Sequence, residues 1–296
     1  DLKGALKALS EIPLPERTGE VAMTPYLIAD CLLRQIPATI PEDALAAGKM
    51  EADLKGAAEA LDAFVGGNPR DPNVPDALLK LGLCQQRLAG LIAQPPERAK
   101  MYVVARVTYE RLMRKEFAKD FPNHTLHPVE ATFERAKCIA LAGDMNTGIN
   151  ELRRFTADPL RQTPVAPQAI LQLATYLRMQ NKAGEAADLL AKNREFFEGM
   201  LAKDKDHGPG MIALLRYHHG VALREQGKIK EARELFETVV KMGPPRLEST
   251  ESALRIGQCL KDEGLQRLDM ARKLRPAAKK PEEIANVQKL TDEGYE

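Results

Sequence analysis

Apolar residues recur three and four positions apart along most of this chain, the spacing that places side chains on one face of a helix. Few stretches alternate apolar and polar residues as a half-buried strand would. The runs are broken by "AGD" (142–144), "QNKAGE" (180–185), "EQGK" (225–228) and "DEGL" (262–265), where helices are expected to turn. The pattern predicts helix, tight turn, helix, looser turn. Its clearest unit is "ALLRYHHGVALREQGKIKEARELFETVVKMGPP" (213–245). There Gly220 is expected where two helices approach closely, and Gly227 ends the first helix. Ala232, Phe236 and Val239 form the inward stripe of the second helix, which Pro244 stops.

The same frame fits five further segments, with Ala29, Gly82, Ala136, Ala174 and Gly257 taking the place of Gly220. Second-helix stripes follow as Ala57, Leu61 and Phe64; as Ala105, Tyr109 and Leu112; as Gly148 and Leu152; and as Ala186 and Leu190. The first two second helices, the latter reaching through "RAKMYVVARVTYERLMRKEFAKDFPNH" (98–124), are expected to be longer than the rest. In the last unit Gly264 is expected at the turn, with Asp269 where the pattern has Ala.

A small residue in the first helix, then Ala, a large apolar residue four later and Pro resembles the tetratricopeptide repeat. Gly220, Ala232, Phe236 and Pro244 match, while Arg216 stands where the pattern has an aromatic. The small positions step by 53, 54, 38, 46 and 37, against about 34 in a regular array. "DPNVPDALLKLGLC" and "FAKDFPNHTLHPVEATFERAKC" further resemble the irregular repeats of bacterial cell-envelope scaffold proteins. The resemblance implies an all-α fold, a right-handed superhelical solenoid of about six stacked antiparallel helical hairpins. It would run over 1–276 with a mild hinge near 156–167, and 277–296 would form a C-terminal capping helix or tail.

A stack of hairpins makes a groove lined by first helices. Positions one and four after the small residue are expected to face it: Asp30, Leu83, Lys137, Thr175, Val221 and Gln258, then Leu33, Gln86, Ala140, Arg178, Arg224 and Lys261. The resemblance implies peptide or protein binding there. Tyr217, Arg178, Arg224, Gln258 and Lys261 are the expected contacts in the C-terminal half, with Gln86 and Lys137 in the N-terminal half. The carboxylate-clamp subtype is not reproduced, because adjacent first helices lack its paired Asn residues.

Four cysteines invite a catalytic or metal-binding reading until the register is applied. Cys31, Cys84, Cys138 and Cys259 each lie two after a small position, and Tyr176 and Ala222 take the same place in the other units. A place shared by Cys, Ala and Tyr is a packing place, where a free thiol acts as a small hydrophobe. His124 and His127 have chelate spacing but no third ligand near them in sequence. Adjacent His218 and His219 point about 100° apart on a helix, so one is expected inward and one at the surface. "GGNPRDP" (66–72) lacks the ending of a phosphate loop and reads as a helix stop. Neither G-x-S-x-G nor H-E-x-x-H occurs. The expectation is a noncatalytic interaction scaffold with no cofactor, metal or catalytic residue; the alternatives are a thiol- or metal-dependent protein and one scaffold segment of a larger multidomain protein.

Charge and composition narrow the partners. With 43 Lys and Arg against 42 Asp and Glu, no global field favours a polyanion, so nucleic acid is not expected as a partner. Absence of Trp and abundant Ala, Leu, Glu and Lys favour helices. No run approaches the ~18 apolar residues of a membrane span. The chain opens at Asp1 on what reads as the end of a helix, as a trimmed piece would, and four unpaired thiols suit the cytoplasm while the envelope-like phrases suit a bacterial periplasm. One charge cluster stands out: Arg267, Arg272, Lys273, Arg275, Lys279 and Lys280 face a single acid, Asp269, between 267 and 280. It suits either an acidic partner or the cationic end of a terminal helix, and "PEEIANVQKL" after it is expected to form a short covering helix.

Overall fold

The computed structural model describes residues 1–243 and 245–295. Among them the chain is all-α, with fourteen α-helices, four short 3₁₀ turns and no strand. Pro244, expected to stop a helix, lies outside the described residues. Contacts gather the chain into two compact units, Asp1–Val165 and a second that begins at Ala166.

The first unit holds α1 (Leu2–Ser10), α2 (Thr24–Leu33), α3 (Ala44–Gly67), α4 (Val74–Leu91), α5 (Pro95–Leu112), α6 (Lys115–Asp120), α7 (Leu126–Leu141) and α8 (Met145–Arg153). Each of α2 to α5 packs on the next, α5 then packs on α7 and α7 on α8. The Asp43 carboxylate starts α3 by accepting from the Ala46 N–H at 2.7 Å. The stripe Leu54, Ala57, Leu61 and Phe64 then points fully inward, as do Ala105 and Tyr109 of α5. The long second helix expected over 98–124 is instead two, α5 and α6, parted at Met113 and Arg114. After the bend the Phe117 and Phe121 rings pack 4.7 Å apart, and Phe121 reaches the core. Burial of that ring, about 2 kcal/mol, accounts for the break that helical periodicity alone did not reveal.

The second unit holds α9 (Ala166–Met179), α10 (Ala183–Leu201), α11 (Gly208–Glu225), α12 (Ile229–Val240), α13 (Leu247–Leu274) and α14 (Pro281–Tyr295). Each helix packs on its successor, and α11 also touches α9 and α13. Ile170, Leu173, Phe197, Phe236 and Val239 fill its core. Phe236 explains the glycine opposite it, because a Cβ on Gly220 would lie 2.7 Å from the ring's Cε1. Truncating such a ring to Ala costs about 3–5 kcal/mol.

Three of the four expected helix stops are one backbone turn repeated. Gly143, Asn181 and Gly227 adopt φ of +115°, +60° and +87°. The N–H groups of the residues that follow, Asp144, Lys182 and Lys228, reach back to the carbonyls of Ile139, Leu177 and Leu223 at 3.2, 2.9 and 2.9 Å. This is the Schellman closure, which caps carbonyls that a helix end leaves unpaired. A left-handed backbone costs an ordinary residue about 1–2 kcal/mol, so Gly or Asn stands there.

The fourth stop does not form. Helix α13 runs unbroken through "DEGL", and Gly264 lies at its crossing with α14, where an added Cβ would sit 2.7 Å from the Gly294 carbonyl oxygen. Gly257 also departs from expectation. It is exposed, with nothing within 4 Å of an added Cβ, so the close approach assigned to it belongs to Gly264, seven residues on. A glycine that ends a helix and one that admits a neighbouring backbone read alike in sequence; only the position of α14 separates them.

Candidate binding faces

In the second unit the expected face is built on α9, α11 and α13. Arg178, four after Ala174, donates from Nε to Glu225 Oε2 at 2.7 Å and from Nη2 to Oε1. Arg224, four after Gly220, donates from Nε and Nη2 to Asp262 Oδ2 at 3.1 and 2.6 Å. Arg178 of α9 therefore reaches a carboxylate on α11 and Arg224 of α11 one on α13, which ties the three helices together. Lys261 continues the row on α13, exposed and with no acid in ion-pair reach among the described residues. Gln258 accepts from Arg255 Nη1 at 2.9 Å. Tyr217 is half-buried, its ring 5.9 Å from that of Phe236, and Val221 is buried.

In the first unit the strongest polar cluster joins α2 to α4. Lys80 Nζ lies 2.8 Å from Asp30 Oδ1, 2.8 Å from Asp76 Oδ2 and 3.2 Å from the Tyr26 hydroxyl, which itself donates to Asp76 at 2.7 Å. Burial would lower the Lys80 ammonium, but bonds to Asp30, Asp76 and Tyr26 outweigh it and hold the pKa above the ordinary value. Burial would likewise raise the Asp30 carboxyl, but Lys80 and Arg34 draw it below its usual range. On α7, burial pushes half-buried Glu130 up, helped by the charges of Asp76 and Glu134.

Tyr26, Asp76, Lys80 and Glu130 were not among the expected contacts, although register marks three of them: Tyr26 lies three before Ala29, and Asp76 and Glu130 lie six before Gly82 and Ala136. Three positions expected to face the groove are enclosed instead. Gln86 is buried under α7, its Nε2 on Cys138 Sγ at 3.5 Å, and Ala140 and Val221 are buried as well. Lys137 is half-buried, bonded to Glu134 at 2.7 Å with its Nζ 5.0 Å from the Phe133 ring centroid.

All four cysteines are free and buried. Burial drives the Cys84 and Cys138 thiols up to about 12, so neither is a thiolate near neutral pH. The His124 and His127 rings stand 5.1 Å apart, and among the described residues no group of three or more His, Cys, Asp or Glu is placed to hold a metal ion. His218 and His219 are not divided between core and surface as expected: His219 is buried, His218 is half-buried, and burial lowers both to about 4. The crowded contact of α11 with its neighbours encloses more of the helix circumference than a two-sided helix allows. No helix among the described residues is long and apolar enough to cross a membrane.

No protein-family model matches the chain, and no curated protein matches it.

Proposed function

We propose that the chain is a noncatalytic interaction scaffold, whose helices stack within each unit as tetratricopeptide-like hairpins and bind a peptide or protein partner across the first-helix row. One observation carries this reading: arginines four after the small residue on α9 and α11 pair with Glu225 and Asp262 on the next first helix. Such cross-links align equivalent faces of successive helices, which is the geometry an extended partner needs. Paired charges also fix the side chains before a partner arrives, lowering the entropy lost on binding.

The partner reading is tested by capture of a binding protein with wild type, with the swap Arg178→Glu/Glu225→Arg, and with Lys261→Glu. The swap preserves the ion pair while changing what the row presents. Loss of a partner that wild type retains, with helicity unchanged by circular dichroism, is the expected result. Equal capture by all three chains sinks the row as the binding face.

A further inference from the structure

The basic cluster near the C-terminus adjoins a recess in the chain. Between the end of α13 and the start of α14 lies a cleft of about 250 Å³, lined by Leu274, Ala277, Ala278 and Val287 with Glu283 and Asn286. Its one acid is already engaged, because Glu283 Oε2 accepts the backbone N–H groups of Lys279 and Lys280 at 2.9 and 3.1 Å. The nearby cations are not. Lys273 pairs with Asp269 at 2.6 Å, but Arg272, Arg275, Lys279 and Lys280 have no acid in ion-pair reach among the described residues. Complementing a helix C-terminus accounts for Arg272 in the last turn of α13. It does not account for Lys279 and Lys280, which lie beyond that helix.

We propose that this elbow captures an acidic protein segment by one large apolar side chain, seated against Leu274, Ala278 and Val287, with flanking carboxylates on Arg275, Lys279 and Lys280. An apolar recess whose lining residues Leu274 and Ala278 are each followed in the chain by an unpaired cation, Arg275 and Lys279, is complementary in both shape and charge to such a segment. A bilayer surface would instead be met by the broad apolar face of an amphipathic helix. A nucleic acid strand would call for aromatic rings to stack on its bases, and the lining has none. The inference is separate from the first-helix row and stands or falls without it.

The test uses the full chain and a fluorescein-labelled synthetic peptide of alternating Glu and Ser around one central Phe, followed by anisotropy. Saturable binding is expected, weakened by salt and reduced roughly tenfold or more when the peptide's Phe is replaced by Ala. Lys279→Glu/Lys280→Glu, at exposed positions, should abolish binding, and Ala278→Trp should remove the advantage of Phe over Ala by filling the recess. Arg178→Glu/Glu225→Arg should leave the peptide's affinity unchanged, which separates this site from the row. The proposal is overturned if the Phe peptide does not bind, if the Ala peptide binds equally well, or if the chain binds phosphatidylserine-containing vesicles and not the peptide.

Discussion

Gly220 of α11 lies directly beneath the ring of Phe236 on α12: a Cβ at Gly220 would stand 2.7 Å from Phe236 Cε1 and 3.0 Å from Cζ. Gly257 of α13, which takes the same place as Gly220 in the last unit, has open surroundings instead.

The two glycines should therefore respond oppositely to the same substitution. Gly220→Ala forces the ring or the helix to move and is expected to cost about 1–3 kcal/mol. Gly257→Ala meets nothing and replaces a poor helix former inside a 28-residue helix, so it is expected to stabilise by up to about 1 kcal/mol. Urea denaturation of the two variants beside wild type checks both signs; a destabilised Gly257→Ala would restore that residue as a packing position.

Docking of α14 hangs on Gly264. Gly264→Val places a branched side chain against the Gly294 carbonyl, so α14 should detach while α13 stays helical. Hydrogen exchange over residues 281–295 should rise to the rate of an unprotected chain, with protection of 208–240 retained. Continued protection of 281–295 would mean that other contacts hold the helix.

Acid should weaken the second unit through His218 and His219. Their folded pKa values are about 4 against an ordinary 6.5, so the unfolded chain takes up protons first as pH falls. The stability they leave intact above pH 6.5 is lost progressively toward pH 4, on the order of 3 kcal/mol for each histidine. His219→Gln should flatten this slope between pH 6.5 and 4 in denaturation midpoints; an unchanged slope would show that His219 is protonated without penalty.

The two kinds of inter-helix tie should differ in strength. Arg224 and Asp262 are partly exposed, so a double-mutant cycle to Ala is expected to give a coupling of about 0.2–1 kcal/mol that shrinks with salt. Lys80→Met removes three charged or polar bonds at once and leaves Asp30 and Asp76 facing each other, at an expected cost of about 2 kcal/mol.

Thiol labelling tests the packing role of the cysteines. With thiol pKa values near 12, only roughly 10⁻⁴ of Cys84 or Cys138 is thiolate at pH 8. In native protein both should react far more slowly with iodoacetamide than after unfolding in urea. Fast labelling of either thiol in native protein would remove it from the core.

Much of the fold was legible because it rests on local rules. Gly143, Asn181 and Gly227 end helices by a conformation those residues alone adopt cheaply, and the stripe Ala57, Leu61, Phe64 is inward because 3.6-residue periodicity places it on one face. The cysteine register was legible for the same reason, all four thiols being buried. The candidate faces were less so. Arg178 and Arg224 were marked by register, yet their carboxylate partners lie 47 and 38 residues away and depend on which helices become neighbours. The Lys80 cluster, with Tyr26 54 residues away, has no local signal beyond the register of its members.

By itself, then, the sequence determined the helical class, most helix ends and the inward stripes, since each follows from backbone preference and apolar spacing within a few residues. Tertiary structure decided whether Gly264 stops a helix or admits one, that Gln86 is enclosed by α7, that both His218 and His219 lose solvent, and that the chain gathers into units meeting at Val165 in sequence. Those outcomes depend on contacts between residues distant along the chain, whose energies no local pattern encodes.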